Sequence, residues 1–93
     1  MSTNKTMTGL ALSFPTLRGV PGAEPWCPEK LDTWAVEGVA SIGALHAARF
    51  VLAVWNNGPR WRCGRFDLID AVHTWDRQHL DALRNWLVHP RLP

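Results

Sequence analysis

The apolar residues of this chain are densest between residues 42 and 56. When this segment is placed on a helical wheel at ~100° per residue, its apolar side chains cover nearly the whole circumference. Polar groups are confined to the stripe of Ile42, His46, Arg49 and Ala53. A helix that is apolar on almost every side is buried among neighbouring elements or covered by a partner. We therefore expect residues 42–56, capped by Ser41, to form the central helix of the fold.

A shorter helix is expected before this one, beginning near Pro28. Proline suits the first helical position because its missing N–H has no intrahelical partner there. Leu31, Trp34 and Ala35 then share one face of the helix, and Gly38 ends or bends it.

Two more helices are expected after the central one, over residues 67–75 and 77–88. Asp67 begins the first, and Asp76 is placed to cap the second. The apolar arc of residues 67–75 consists of Leu68, Ile69, Ala71, Val72 and Trp75. The inward face of residues 77–88 consists of His79, Leu80, Leu83, Trp86 and Leu87.

The N-terminal part lacks a clear helical pattern. Leu10, Leu12 and Phe14 alternate with small or polar residues, which indicates an extended arm that packs three apolar side chains onto the helices. Residues 15–27 are rich in proline and glycine and are expected to form an irregular connector. The predicted fold class is therefore all-α: an extended arm and connector over residues 1–27, then a compact bundle of about four short helices over residues 28–93.

Composition limits the chain to one core and makes tryptophan its main filler. A chain of 93 residues has no room for two hydrophobic cores, and an apolar content of 46% is typical of a globular protein. Six tryptophans with no tyrosine are unusual in so short a chain. Each can bury on the order of 200 Å², so core filling is the favoured role for most of them.

The clearest candidate for a binding site is the segment that follows the central helix. The net charge is only +2, yet Arg60, Arg62 and Arg65 stand close together around Trp61. Guanidinium groups bind carboxylates and phosphates, and tryptophan is frequent at interface hot spots. Three interpretations remain open: Trp61 plugs the core while the arginines are solvated or paired with nearby acids, the loop binds a partner protein, or it binds nucleic acid.

Catalytic and metal sites receive little support from the sequence. Asp70 and His73 share a helical surface, but no nucleophile is placed beside them, so a surface hydrogen-bond network is the simpler interpretation. Cys27 and Cys63 lack the paired spacing of a zinc site, and two reduced buried thiols are expected rather than a disulfide. Cys63 stands among three positive charges, which would lower its pKa if it were exposed. We expect no metal and no cofactor.

The sequence also predicts a cytoplasmic protein. The apolar run near the N-terminus is short and is interrupted by polar residues, which does not fit a signal peptide. No segment approaches the ~18 apolar residues that a membrane span requires.

A resemblance covers residues 50–93. It rests on the string Phe50-Val51-Leu52, Val54-Trp55-Asn56, Trp61, Gly64, Phe66-Asp67, Ala71, Trp75-Asp76 and Trp86. In these residues the chain resembles short uncharacterised bacterial proteins, and the resemblance implies a bacterial accessory protein. It implies no activity, ligand or catalytic residue.

Together these observations favour a non-enzymatic protein-interaction module, such as an adaptor, inhibitor or regulatory subunit, that binds another protein through the arginine loop. Nucleic-acid binding through the same loop is the alternative, and a small hydrolase or thiol enzyme using Asp70, His73 or Cys63 is the third hypothesis. A homodimer remains open, because an all-apolar central helix could also serve a second copy of the chain.

Overall fold

A computed structural model describes residues 3–38, 41–57 and 61–92. These residues form five α-helices and one short 3₁₀ helix, with no β-strand among them. The helices are α1 (Thr3–Leu12), α2 (Pro28–Glu37), α3 (Ile42–Trp55), α4 (Leu68–Thr74) and α5 (Arg77–Val88), and the 3₁₀ helix spans Pro15–Leu17. The all-α class is confirmed, with one helix more than the sequence predicted.

The additional helix is α1, so the prediction of an extended arm is wrong for residues 3–12. Met7, Leu10, Ala11 and Phe14 are spaced as i, i+3, i+4 and i+7, which is the pattern of one helical face. All four are buried. The alternation of Leu10, Leu12 and Phe14 overlaps this pattern by chance, and Leu12 is only half-buried.

The four helices predicted from the sequence are present within one or two residues of the expected bounds. Ser41 Oγ accepts a hydrogen bond from the Ala44 N–H (3.1 Å), as an N-cap does. The Asp67 carboxylate accepts from the Asp70 N–H (3.0 Å), and the Asp76 carboxylate accepts from the His79 N–H (3.0 Å). Short polar side chains immediately before an apolar segment therefore located three helix starts correctly.

Helix α3 is the centre of the fold, as its apolar pattern predicts. It packs against α1, α2, α4 and the 3₁₀ helix, and Ala47, Val51 and Leu52 are fully buried. The two polar side chains of its stripe are wholly or partly buried. His46 is buried, and Arg49 is half-buried because its Nε donates to the Cys63 carbonyl (2.6 Å) in the segment before α4.

An aromatic cluster fills the space between α3 and the C-terminal helices. Phe14 lies at its centre, with its ring centroid 5.6 Å from that of Phe50 and 5.3 Å from that of Trp75. Phe66 and Trp86 extend the cluster from Phe50, at centroid distances of 5.1 and 5.3 Å. Such edge-to-face and tilted pairs add to the stabilisation that burial provides.

The tryptophans follow the core-filling expectation. Trp26 and Trp75 are buried, and the remaining four, Trp34, Trp55, Trp61 and Trp86, are half-buried.

The connector between α1 and α2 is held against both helices. Thr8 Oγ1, on α1, donates to the Ala23 carbonyl (3.0 Å). Gly22 adopts a φ of +90°, and a Cβ at this position would overlap the backbone atoms of Cys27 and Leu31. Only glycine allows the connector to approach α2 this closely.

The predicted apolar arc of α4 is only partly buried. Ala71 and Trp75 are buried against the core, but Leu68, Ile69 and Val72 are exposed. Because α4 has only two turns and rests on α3 along one edge, the rest of its broad apolar arc faces outward. Leu87 on α5 is exposed as well, although the sequence placed it on the inward face.

Candidate functional site

The candidate site predicted from sequence is the loop between α3 and α4, of which residues 61–65 are described and Arg60 lies outside the described residues. The loop turns tightly, because the Gly64 N–H donates to the Trp61 carbonyl (3.0 Å). Gly64 adopts a φ of +96°, in the left-handed region that favours glycine. We refer to residues 61–65 as the arginine loop.

A buried carboxylate on α2 holds the arginine loop in place. Asp32 Oδ1 accepts from the Cys63 N–H (2.9 Å), and Asp32 Oδ2 accepts from the Arg62 N–H (3.1 Å). Asp32 itself is buried, so its charge is compensated by these amides rather than by water. From the other side Arg49 binds the Cys63 carbonyl. The loop backbone is therefore fixed between α2 and α3.

The side chains of Trp61 and Arg62 are engaged with other parts of the chain. Trp61 is half-buried against the core, and its Nε1 donates to the Asn56 carbonyl (3.0 Å). Arg62 forms an ion pair with Glu37 on α2 (3.3 Å). Arg65 is exposed and forms no ion pair with a described carboxylate. Of the described site residues, only Arg65 presents an uncompensated charge.

Cys63 is a buried free thiol, as the sequence predicted. Burial, followed by the hydrogen bond with Asp32 and the negative charge of Asp32, raises the pKa of Cys63 to about 12. The nearby Arg49 charge lowers it by less. The thiol is therefore protonated at neutral pH and unsuited to nucleophilic attack. Cys27 and Cys63 are both free cysteines, but Cys27 is half-buried rather than buried.

Asp70 and His73 are both exposed on α4. No hydrogen bond joins their side chains in the described part of the chain. The Asp70 backbone accepts a hydrogen bond from Thr74 Oγ1 (2.8 Å). The two residues do not form the general-base pair that their spacing would allow.

A hydroxyl–imidazole–carboxylate chain that the residue spacing does not indicate lies elsewhere in the fold. Thr16 Oγ1 lies 2.7 Å from His79 Nε2, and His79 Nδ1 lies 2.8 Å from Asp76 Oδ1. His79 is 4% exposed and is enclosed by the rings of Phe14 and Trp75. Thr16 and His79 are 63 residues apart, so only the fold brings them together.

The spacing of these three groups is that of a nucleophile, a base and an orienting acid. The enclosure of the imidazole between two aromatic rings instead fits a structural role, in which both ring nitrogens are satisfied on burial. The hydrogen bonds donated to Asp76 by the His79 backbone and side chain lower the pKa of that carboxyl. The chain of bonds joins the 3₁₀ helix to α5.

Metal coordination and membrane crossing are two further possibilities. Within residues 3–38, 41–57 and 61–92, no group of three histidine, cysteine or acidic side chains is arranged to hold a metal ion. Among the described helices, none combines the length and the apolar character that a membrane crossing needs.

No protein-family profile, curated protein or solved structure matches the chain at a significant level of similarity.

Proposed function

We propose that this protein is a non-enzymatic interaction module that binds a partner protein through the arginine loop and the adjoining face of α4. The observation that carries the proposal is the exposure of three large apolar side chains on α4. Leu68, Ile69 and Val72 are 49, 64 and 44% exposed. We refer to these three residues as the α4 face.

The spacing of these residues makes them one surface. Leu68 and Val72 are four positions apart and Ile69 and Val72 are three apart, so their side chains are neighbours on the helix. Single exposed apolar residues are common on proteins, but a cluster on one helical face is typical of a contact surface.

The polar surroundings of the α4 face also suit a protein partner. Arg65 lies three residues before it and has no described carboxylate partner. Asp67 and Asp70 lie on the same short helix segment, so both signs of charge border the apolar residues. An apolar centre with a charged rim containing arginine is the usual composition of a protein–protein interface.

Nucleic-acid binding through the same loop has weaker support. Glu37 compensates Arg62, the Trp61 indole N–H is engaged by the Asn56 carbonyl, and the adjoining helix carries carboxylates. Binding to phosphates depends on the number of uncompensated cations, and the described loop offers one.

The test compares partner recovery by tagged variants of the full chain. The α4-face variant replaces Leu68, Ile69 and Val72 with Gln, and the control variant replaces Leu87 and Leu92, which are also exposed, with Gln. Recovered proteins are quantified by mass spectrometry after circular dichroism has shown that each variant keeps its helix content.

We expect at least one protein to be recovered by the wild type and the control and to fall about tenfold with the α4-face variant, as loss of a hot spot would cause. The double variant Arg62→Ala with Arg65→Ala should also lower the recovery of that protein. Equal recovery by the wild type and the α4-face variant would contradict the proposal. Light scattering of the same samples shows whether the partner is a second copy of the chain.

A further inference from the structure

A second surface lies away from the arginine loop, in a groove of about 860 Å³ between α1 and α5. Gly9, Leu10 and Ser13 line it from α1, Pro15 and Arg18 from the segment that follows, and the opposite wall is α5 with the residues after it. We refer to it as the α1–α5 groove. It is distinct from the α4 face, so the two proposals stand or fall separately.

The groove is lined by more positive than negative charge. Arg18, Arg84 and Arg91 face it, and Asp81 is the one acidic residue among the described residues of its lining. None of these four side chains forms an ion pair with another described residue. Arg18 Nε donates a hydrogen bond to the Leu12 carbonyl (3.0 Å). This bond fixes the guanidinium at the groove and leaves its other N–H groups available.

The shape of the groove favours an extended ligand. The part of α5 that lines it runs from Gln78 to Val88, a length of roughly 15 Å at ~1.5 Å per residue. An extended peptide of about five residues covers this distance at ~3.3 Å per residue. Arg18 belongs to the segment after α1, Arg84 to α5, and Arg91 to the tail after α5, so the cations come from three parts of the groove wall.

The remaining lining offers what a peptide backbone needs. Gln78 and Asn85 carry amide groups that donate and accept hydrogen bonds, and Leu10 and Ala82 supply buried apolar surface. Trp86 is half-buried, and its Nε1 donates to the Arg91 carbonyl (3.2 Å), which holds the tail against α5. Both walls of the groove are thereby built from contacts within the chain.

We infer that the α1–α5 groove binds an extended acidic peptide segment, whose carboxylates pair with Arg18, Arg84 and Arg91. Guanidinium and carboxylate groups form paired hydrogen bonds that are stronger than neutral ones. A nucleic-acid strand fits less well, because three cations give few phosphate contacts and Asp81 lies in the same lining.

The test is an NMR titration of the full, isotope-labelled chain with an acetylated and amidated octapeptide that alternates Asp and Thr. Its neutral twin carries Asn in place of Asp. The groove variant is Arg84→Glu with Arg91→Glu. The matched control is Lys30→Glu with Arg77→Glu, which makes the same charge change on exposed cationic residues outside both the groove lining and the arginine loop. A ten-nucleotide oligothymidylate is titrated in parallel.

We expect the acidic peptide to shift the amide signals of Ser13 and Asn85 and the indole signal of Trp86. Its affinity should fall about tenfold in the groove variant, as loss of charged hydrogen bonds predicts, and change less than twofold in the control. The neutral twin should not bind.

Four results would overturn the inference. They are no binding of the acidic peptide, equal binding of the neutral twin, an equal loss in the control variant, or tighter binding of the oligothymidylate at the same signals. A negative result in this titration does not bear on the α4 face, since neither variant changes a residue of that face or of the arginine loop.

Discussion

Asp32 and His79 each join two segments that are far apart in the sequence. Asp32 binds two amides of the arginine loop from α2, and His79 binds Thr16 from α5. Both are buried, and both have partners for their polar atoms. His46 is the contrasting case, because it is equally buried while its Nδ1 has no hydrogen-bond partner among the described residues. The contribution of a buried polar residue to stability therefore depends on whether its polar atoms have hydrogen-bond partners.

The first prediction concerns pH and His46. Burial and, to a smaller extent, the Arg49 charge lower the pKa of His46, and the Asp70 and Asp67 charges only partly oppose them. The unfolded chain therefore takes up a proton near pH ~6.5 while the native chain does not. Stability should be constant above that pH and fall as the pH drops from ~6.5 towards the lowered native value. Urea unfolding followed by tryptophan fluorescence between pH 7.5 and 5 measures this.

Replacement of His46 identifies the group responsible. His46→Leu should flatten the profile between pH 7.5 and 5, and it should stabilise the protein by about 1 kcal/mol at neutral pH because an unsatisfied buried polar atom is removed. His73→Gln is the matched control, since His73 is exposed on α4. An unchanged slope in His46→Leu would assign the pH dependence to another residue.

The second prediction concerns the bond between Thr16 and His79. Thr16→Val removes the hydroxyl while preserving the shape of the side chain, and it leaves His79 Nε2 buried without a partner. We expect a loss of about 1–3 kcal/mol in the free energy of unfolding. In a His79→Phe background the same change should cost less than ~0.5 kcal/mol, because no buried nitrogen remains to be satisfied.

The control for this cycle is Thr33→Val on the exposed face of α2, which should change stability by less than ~0.5 kcal/mol. If Thr16→Val is equally harmless, the 2.7 Å contact contributes nothing measurable to the fold.

The helices differ in how well their sequences determine them. The starts of α3, α4 and α5 were predicted because an N-cap acts within three residues, so the signal is local. The apolar arc of α4 was misjudged because periodicity shows which residues could be buried but not how many neighbours the fold supplies. Helix α1 was missed because a short helix that contains three threonines and a glycine has a weak helical pattern, and its burial depends on packing against α3.

In the candidate site, too, the features with a local sequence signal were predicted and those that depend on distant residues were not. The sequence identified the arginine loop as a cluster of cations around Trp61, and the structure places that loop on the surface. It could not show that Glu37 pairs with Arg62 or that Asp32 fixes the loop, since both partners come from α2, at least 25 residues away. The α1–α5 groove was hidden for the same reason, because its arginines come from segments at both ends of the chain.

The third prediction belongs to the contact between α2 and the arginine loop. Asp32→Asn keeps the size of the side chain but replaces one acceptor oxygen with an NH₂ group that opposes a backbone N–H. We expect a loss of about 2–3 kcal/mol, since charged hydrogen bonds and a buried amide are both affected. The pKa of Cys63 should also fall, because the hydrogen bond with Asp32 and the charge of Asp32 help to raise it.

Two measurements check this prediction. Chemical denaturation gives the stability, and the rate of maleimide labelling of Cys63 in a Cys27→Ser background gives the thiol reactivity, which should rise. Glu37→Gln is the control, because the ion pair with Arg62 lies between side chains that are 61 and 57% exposed and is worth little. Slow labelling in Asp32→Asn would mean that burial alone protects the thiol.

The core of the whole molecule extends across the boundary that the sequence suggested at residues 27 and 28. Met7, Leu10, Phe14, Leu17 and Trp26 are all buried in the same cluster as the residues of α3. Phe14 contacts rings from both α3 and the C-terminal half. A chain of 93 residues has a total stability on the order of 5–14 kcal/mol. Removal of the N-terminal core side chains would cost more than this and would unfold the protein.

The final prediction follows from this shared core. A chain that begins at residue 28 should not fold on its own, because it exposes the ring surfaces of Phe50 and Trp75 that Phe14 covers. We expect it to lack a cooperative thermal transition and to bind an apolar dye.

A single substitution in the full chain tests the same core more gently. Met7→Ala should lower the free energy of unfolding by about 2–5 kcal/mol, whereas Lys5→Ala, at an exposed position of α1, should lower it by less than ~0.5 kcal/mol. A cooperative transition in the chain of residues 28–93 would show that the helices after residue 27 form a domain by themselves, with α1 as an accessory layer.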